Sequence, residues 1–148
     1  MSAIRLFTIG FTKKGAERFF TLLGEAGVER VLDVRLNNVS QLAGFAKKDD
    51  LAYFLRAIGP IGYAHLPDLA PTQDILDAYK KEKGDWALYE QRFLDLMRAR
   101  RIEDAPDRAL FDKACLLCSE DGPHRCHRRL VAEYLRERWG EVEITHLK

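Results

Sequence analysis

The segment Cys115-Leu-Leu-Cys-Ser-Glu-Asp-Gly-Pro-His-Arg-Cys-His-Arg-Arg129 gathers all three cysteines of the chain, two of its four histidines and three arginines. Three chemistries compete for it. Zinc is the first, because Cys115, Cys118, Cys126 and His127 supply four possible ligands. The intervening Leu116-Leu117 belongs to an apolar run that reads as strand, however, and residues three apart on a strand point to opposite faces. Cys115 and Cys118 should therefore diverge, the tetrahedron should fail, and no metal is expected.

Thiol chemistry is the second. Cys118 ends the strand and Cys126 opens a helix, so a turn between them can bring the sulfurs together. Cys126 beside Arg125, His127 and Arg128 at a helix N-terminus has the electropositive setting that favours thiolate. Cys115 reads as a small buried hydrophobe. Anion binding is the third. The first helical turn offers unpaired backbone N–H groups next to His127 and Arg128, and Arg35 should reach the same edge from another strand. Arg35 equally suits an internal pair with Glu120 or Asp33. Glu120 fits either an acid–base role or the orienting of an arginine, and His65 either a general base or a hydrogen-bonded structural histidine.

The elements that position these groups follow from periodicity. Ile4 to Ile9 reads as a strand ending at Gly10, and Lys14 to Ala26 as a helix stopped by Gly27. Val28 to Val34 is a second strand, making a βαβ unit with parallel strands. Asp49 or Asp50 caps a helix that runs to Ile58. Tyr63 to Leu66 is a third strand, and Pro71-Thr72 opens a helix through Tyr79. A further helix carries Trp86, Tyr89, Phe93 and Met97 on one face. Ala114 to Cys118 is the fourth strand, Pro123 to Trp139 a helix and Val142 to Leu147 the last strand. This order predicts an α/β fold: a mostly parallel sheet of about five strands with helices on both faces, Rossmann-like and three-layered. Ligands in such sheets bind beyond the carboxyl ends of the strands, where Gly10, Thr12, Asp33, Arg35, His65, Cys118 and Glu120 all fall.

Length and composition set the remaining bounds. The 148 residues suit a single domain over 1–148, and 47% hydrophobic with 32% charged residues is ordinary for a globular chain. A formal net charge of +1 provides no global field for nucleic acid. No apolar run is long enough to span a bilayer and the first residues lack a signal pattern, so no membrane association and a cytoplasmic location are expected. There is no G-x-G-x-x-G and no Walker sequence, which argues against conventional nucleotide folds. The interleaved aromatic and basic side chains from Trp86 to Arg101 suggest an alternative, a surface for single-stranded nucleic acid.

Three pieces, Thr8-Ile-Gly-Phe-Thr12, Asp33-Val-Arg-Leu-Asn-Asn-Val-Ser40 and Leu117-Cys-Ser-Glu-Asp-Gly-Pro-His-Arg-Cys-His-Arg128, resemble the DUF488 family in order and spacing. The Cys-x-Glu-x-x-Pro-x-x-Cys-His-Arg pattern from Cys118 to Arg128 is the specific part. Asn38 and Gln41 stand where the family pattern has a proline and an arginine, so one positive charge is missing. The resemblance implies an α/β fold and a pocket built from Gly10, Thr12, Asp33, Arg35, Ser40, Cys118, Glu120, Cys126, His127 and Arg128. It names no reaction and no cofactor. The expectation is an enzyme or binding protein for an anionic small molecule or nucleic acid: Gly10, Thr12, Asp33, Arg35, Ser40 and Arg128 bind the ligand, and Cys118, Glu120, Cys126 and His127 act on it. The alternatives are a nucleic-acid or protein-binding module, and a thiol-redox or metal-binding protein that uses Cys118 and Cys126.

Overall fold

The computed structural model describes residues 3–11, 13–36, 47–80, 84–104, 107–118 and 126–148. Thr12, Ser40 and Glu120 lie outside the described residues, as do Asn38, Gln41 and the Pro123 start expected for the last helix.

Five strands, β1 (Ile4–Gly10), β2 (Arg30–Asp33), β3 (Gly62–His65), β4 (Ala114–Cys118) and β5 (Val142–His146), form one all-parallel sheet in the order β3-β2-β4-β1-β5. Burial follows position in the sheet. All five residues of the central β4 are buried, whereas in the edge strand β5 only Val142 is buried and the rest alternate between exposed and half-buried. A strand covered on both faces needs a continuous apolar run, and Ala114-Cys-Leu-Leu-Cys118 supplies it.

Five helices cover the two faces: α1 (Ala16–Ala26), α2 (Lys48–Ile58), α3 (Gln73–Lys80), α4 (Trp86–Arg100) and α5 (His127–Trp139). The connections β1→β2→β3 run one way across the sheet and β3→β4→β5 run back. Right-handed crossovers then place the first helices and the later ones on opposite faces. The core divides accordingly. Phe19, Phe20 and Leu23 of α1 and Leu51 and Leu55 of α2 pack with Ile9, Val31, Cys115 and Leu117. Ile75 of α3, Tyr89, Phe93 and Met97 of α4, and Leu130, Val131 and Leu135 of α5 pack with Leu6, Leu32, Leu116 and Cys118.

Several boundaries differ from the sequence reading. The second strand starts at Arg30 rather than Val28, because Gly27 adopts φ +76° to cap α1 and Val28 N–H still bonds Leu23 O at 3.1 Å. Lys47 rather than Asp49 or Asp50 occupies the N-cap of α2, and the two aspartates lie in its first turn, where they complement the helix dipole. Tyr89, Phe93 and Met97 are buried and Trp86 stacks on Tyr89 at 4.8 Å, so the aromatic residues of α4 are engaged in the core. Arg100 donates to Asp68 O at 2.8 Å and Ala70 O at 2.7 Å, fastening the chain between β3 and α3. No described helix is long and apolar enough to cross a membrane.

Candidate functional site at the carboxyl edge

Strand β4 has on either side a strand whose following helix lies on the opposite face from α5, so its carboxyl end borders a crevice of the kind that holds ligands in open parallel sheets. The polar burial agrees. Thr8, Lys14, Asp33, Arg35, His127 and Arg128 are the buried polar or charged side chains among the described residues, and all six lie toward this edge.

Backbone contacts draw the edge together. Gly10 is in register with Cys118, and Val34 N–H donates to Leu117 O at 3.1 Å. Asp33 is fully buried and holds Arg35 in a two-point grip, Nε to Oδ1 and Nη2 to Oδ2, both at 2.8 Å. Tyr63 O–H donates to Asp33 Oδ2 at 2.6 Å, and Arg35 N–H to Oδ1 at 3.1 Å. Burial alone would push the Asp33 carboxyl up, but the Arg35 hydrogen bond and charge, with Tyr63, outweigh it and hold the group below its ordinary value. Of the two pairings open to Arg35 in the sequence, the one with Asp33 is present. The guanidinium lies over the Phe11 ring at 5.4 Å, and its Nη1 is buried with no hydrogen-bond partner among the described residues.

His65 Nε2 sits 2.7 Å from Arg35 O, which sets the ring as a donor there and makes it a support for the loop after β2. His127 Nε2 donates to Val34 O at 2.6 Å, tying the start of α5 to the end of β2. Arg128 is completely buried and donates from Nη1 to Cys118 Sγ at 3.3 Å and Cys126 Sγ at 3.9 Å. Cys118 and Cys126 are joined sulfur to sulfur, as the strand–turn–helix reading anticipated, and Cys126 is the N-cap of α5. That pairing is a matter of placement and carries no argument for redox function. Cys115 is buried in the opposite core layer, where burial pushes its thiol up despite the nearby Arg128 charge. The expected divergence of Cys115 and Cys118 is thus present.

Thr8 Oγ1 and His146 Nδ1 meet at 2.6 Å on the neighbouring strands β1 and β5. Burial and then the Arg128 charge lower the pKa of His146, against an opposing effect of Glu133. Lys14 and Tyr63 were not singled out from sequence. Lys14 is 8% exposed in the turn after β1, where Lys13 holds φ 65°, a left-handed conformation that non-glycine residues rarely adopt. Its position directly beyond a strand end was the available signal. Tyr63 could have been inferred from Asp33, because a carboxylate closing an apolar strand needs donors from its neighbours.

The architecture is that of an open parallel α/β domain with buried charge at its topological switch point. The family model described as a domain of unknown function, DUF488, matches residues 15–135, and the chain belongs to that family. No curated protein and no solved structure matches it.

Proposed function

We propose that this protein binds an anionic group at the carboxyl edge of its sheet, between Arg35 and the N-terminus of α5, as an enzyme or binding protein for a nucleotide, a nucleic-acid end or a phosphorylated metabolite. One observation carries the reading: Arg35 is 3% exposed, is oriented by two bonds to Asp33, and keeps Nη1 without an acceptor among the described residues. An unmet buried donor costs about 1–3 kcal/mol, which a bound oxygen would recover. Asp33 neutralises Arg35 as a pair, so the attraction depends on directed hydrogen bonds together with Arg128, Lys14 and the α5 dipole. Cys118, Cys126 and His127 then border the bound group as candidate reacting side chains, beside Gly10, which is in register with Cys118.

The test must respect Asp33. Arg35→Ala would leave a buried carboxylate without its counter-charge, and lost binding could then reflect a damaged fold. The paired change Asp33→Asn with Arg35→Gln removes both charges together. Thermal shifts with phosphate, sulfate, nucleotides and short oligonucleotides should show stabilisation of the wild type, about 2.7 kcal/mol at a hundredfold excess over Kd. That stabilisation should vanish in the pair variant. Unchanged affinity there would remove Arg35 from the function.

A further inference from the structure

The ligand atoms of Cys118, Cys126 and His127 all lie within 4.8 Å of one another. We infer that, in the reduced protein, these three side chains form a binding site for zinc(II). The site is distinct from the four-ligand set considered from sequence: Cys115 faces the other core layer and drops out, while the remaining three converge. The inference shares the carboxyl edge with the anion reading but does not rest on it.

Three features of the geometry support it. The first is backbone spacing. The Cα atoms of Cys118 and Cys126 are 7.5 Å apart. Two thiolates on one tetrahedral zinc, each about 2.3 Å from the metal, stand about 3.8 Å apart, and a Cα separation of this size accommodates that gap. The second is the tautomer of His127. Val34 O can only accept, so Nε2 carries the proton and Nδ1 the lone pair. A ligating histidine fixed through its other nitrogen by a backbone carbonyl is the usual outer support of metal sites. The third is the donor set. Two sulfurs and one imidazole select a borderline-soft cation over magnesium or calcium, which take oxygen.

Charge is consistent with this. Binding releases the two thiol protons, and the two thiolates then offset the two charges of the metal. Arg128, donating to both sulfurs, becomes the hydrogen-bonding partner of metal-bound thiolates. All three ligands come from the end of β4 and the start of α5, so the metal would tie the strand directly to the helix.

The experiment uses the full chain, reduced with a phosphine, freed of metal by a chelator and exchanged into anaerobic buffer. Cobalt(II) is added as a spectroscopic probe, and zinc is added separately and measured by elemental analysis after gel filtration. One equivalent of retained zinc, with the intense visible absorption of tetrahedral cobalt thiolate, is the expected result. Cys118→Ser and Cys126→Ser should each weaken zinc by about a hundredfold, because a site's affinity is shared among its few ligands. His127→Gln should weaken it as well, whereas Cys115→Ala should retain it. No retained zinc and no cobalt band in the wild type would overturn the proposal, and so would unchanged zinc affinity in either serine variant. Failure here leaves the Arg35-dependent anion shift untouched; conversely, the Asp33→Asn/Arg35→Gln pair variant should keep its zinc.

Discussion

The two edges of the sheet treat charge in opposite ways. At the amino edge, Arg30 is partly exposed and donates to Leu110 O at 2.9 Å and Asp112 O at 2.8 Å, while Asp112 accepts from Arg5 N–H at 2.9 Å. Those groups fasten the turn Arg108–Phe111 before β4 and remain in touch with water. At the carboxyl edge, Asp33, Arg35 and Arg128 are buried, with Tyr63 and two cysteine sulfurs among their partners. Withdrawing charge from water is expensive, and it stabilises little that an apolar residue could not. The fold thus keeps solvent-touching charges at one end and buried ions at the other.

The sharpest way to break this comparison is at Asp33. Arg35→Ala should cost about 3–5 kcal/mol in urea unfolding because the carboxylate is left buried and alone, and the Asp33→Asn/Arg35→Gln pair should recover most of that. A loss below 1 kcal/mol would mean that the edge is wetter than its geometry. The pH dependence follows with a definite sign. Because the folded Asp33 pKa lies below the ordinary 3.8, its contribution is complete above that value and is lost as pH falls through the lower folded one. The wild type should therefore lose more of its urea midpoint on acidification than the pair variant does; parallel curves would refute the shift.

Tyr63→Phe removes one donor to a buried carboxylate and should cost about 1.5–3 kcal/mol, with the acid limb moved to higher pH. At the amino edge Arg30→Ala should cost only about 1 kcal/mol, since water can replace its bonds. The exposed pair Arg98–Asp95, 3.1 Å apart on α4, should contribute least, so Arg98→Ala should shift stability within about 0.5 kcal/mol. Reversal of that order would dissolve the distinction between the edges.

Periodicity exposed the strands and helices because burial is repetitive: Ala114 to Cys118 reads as a doubly covered strand, and Phe19, Phe20 and Leu23 as one helix face. It found the Gly27 stop of α1 but missed the ends beside it and elsewhere, as at the Arg30 start of β2 and the Lys47 cap of α2, because such boundaries are a local contest among neighbours of similar propensity. In the site, Asp33, Arg35, Cys118, Cys126, His127 and Arg128 stood out by type and by their place beyond strand ends. Their partners did not. Tyr63 reaches Asp33 across thirty positions of chain, Val34 contributes only a carbonyl, and Lys14 is buried by packing that no short-range pattern encodes.

The strand order also has a consequence in time. The central strand β4 is bounded by β2 and β1, which end 81 and 104 residues before Ala114 and so emerge from the ribosome well ahead of it. Until residues 114–118 arrive, the amino-terminal half has two strands that should flank a third and nothing to place between them. Closing the middle of the sheet therefore depends on contacts between distant parts of the chain, which are slow to form and leave strand edges open meanwhile. The segment that carries the cysteines is thus also the keystone of assembly: a chain halted before Ala114 lacks both the cysteines and Arg128 and the strand that joins its two halves.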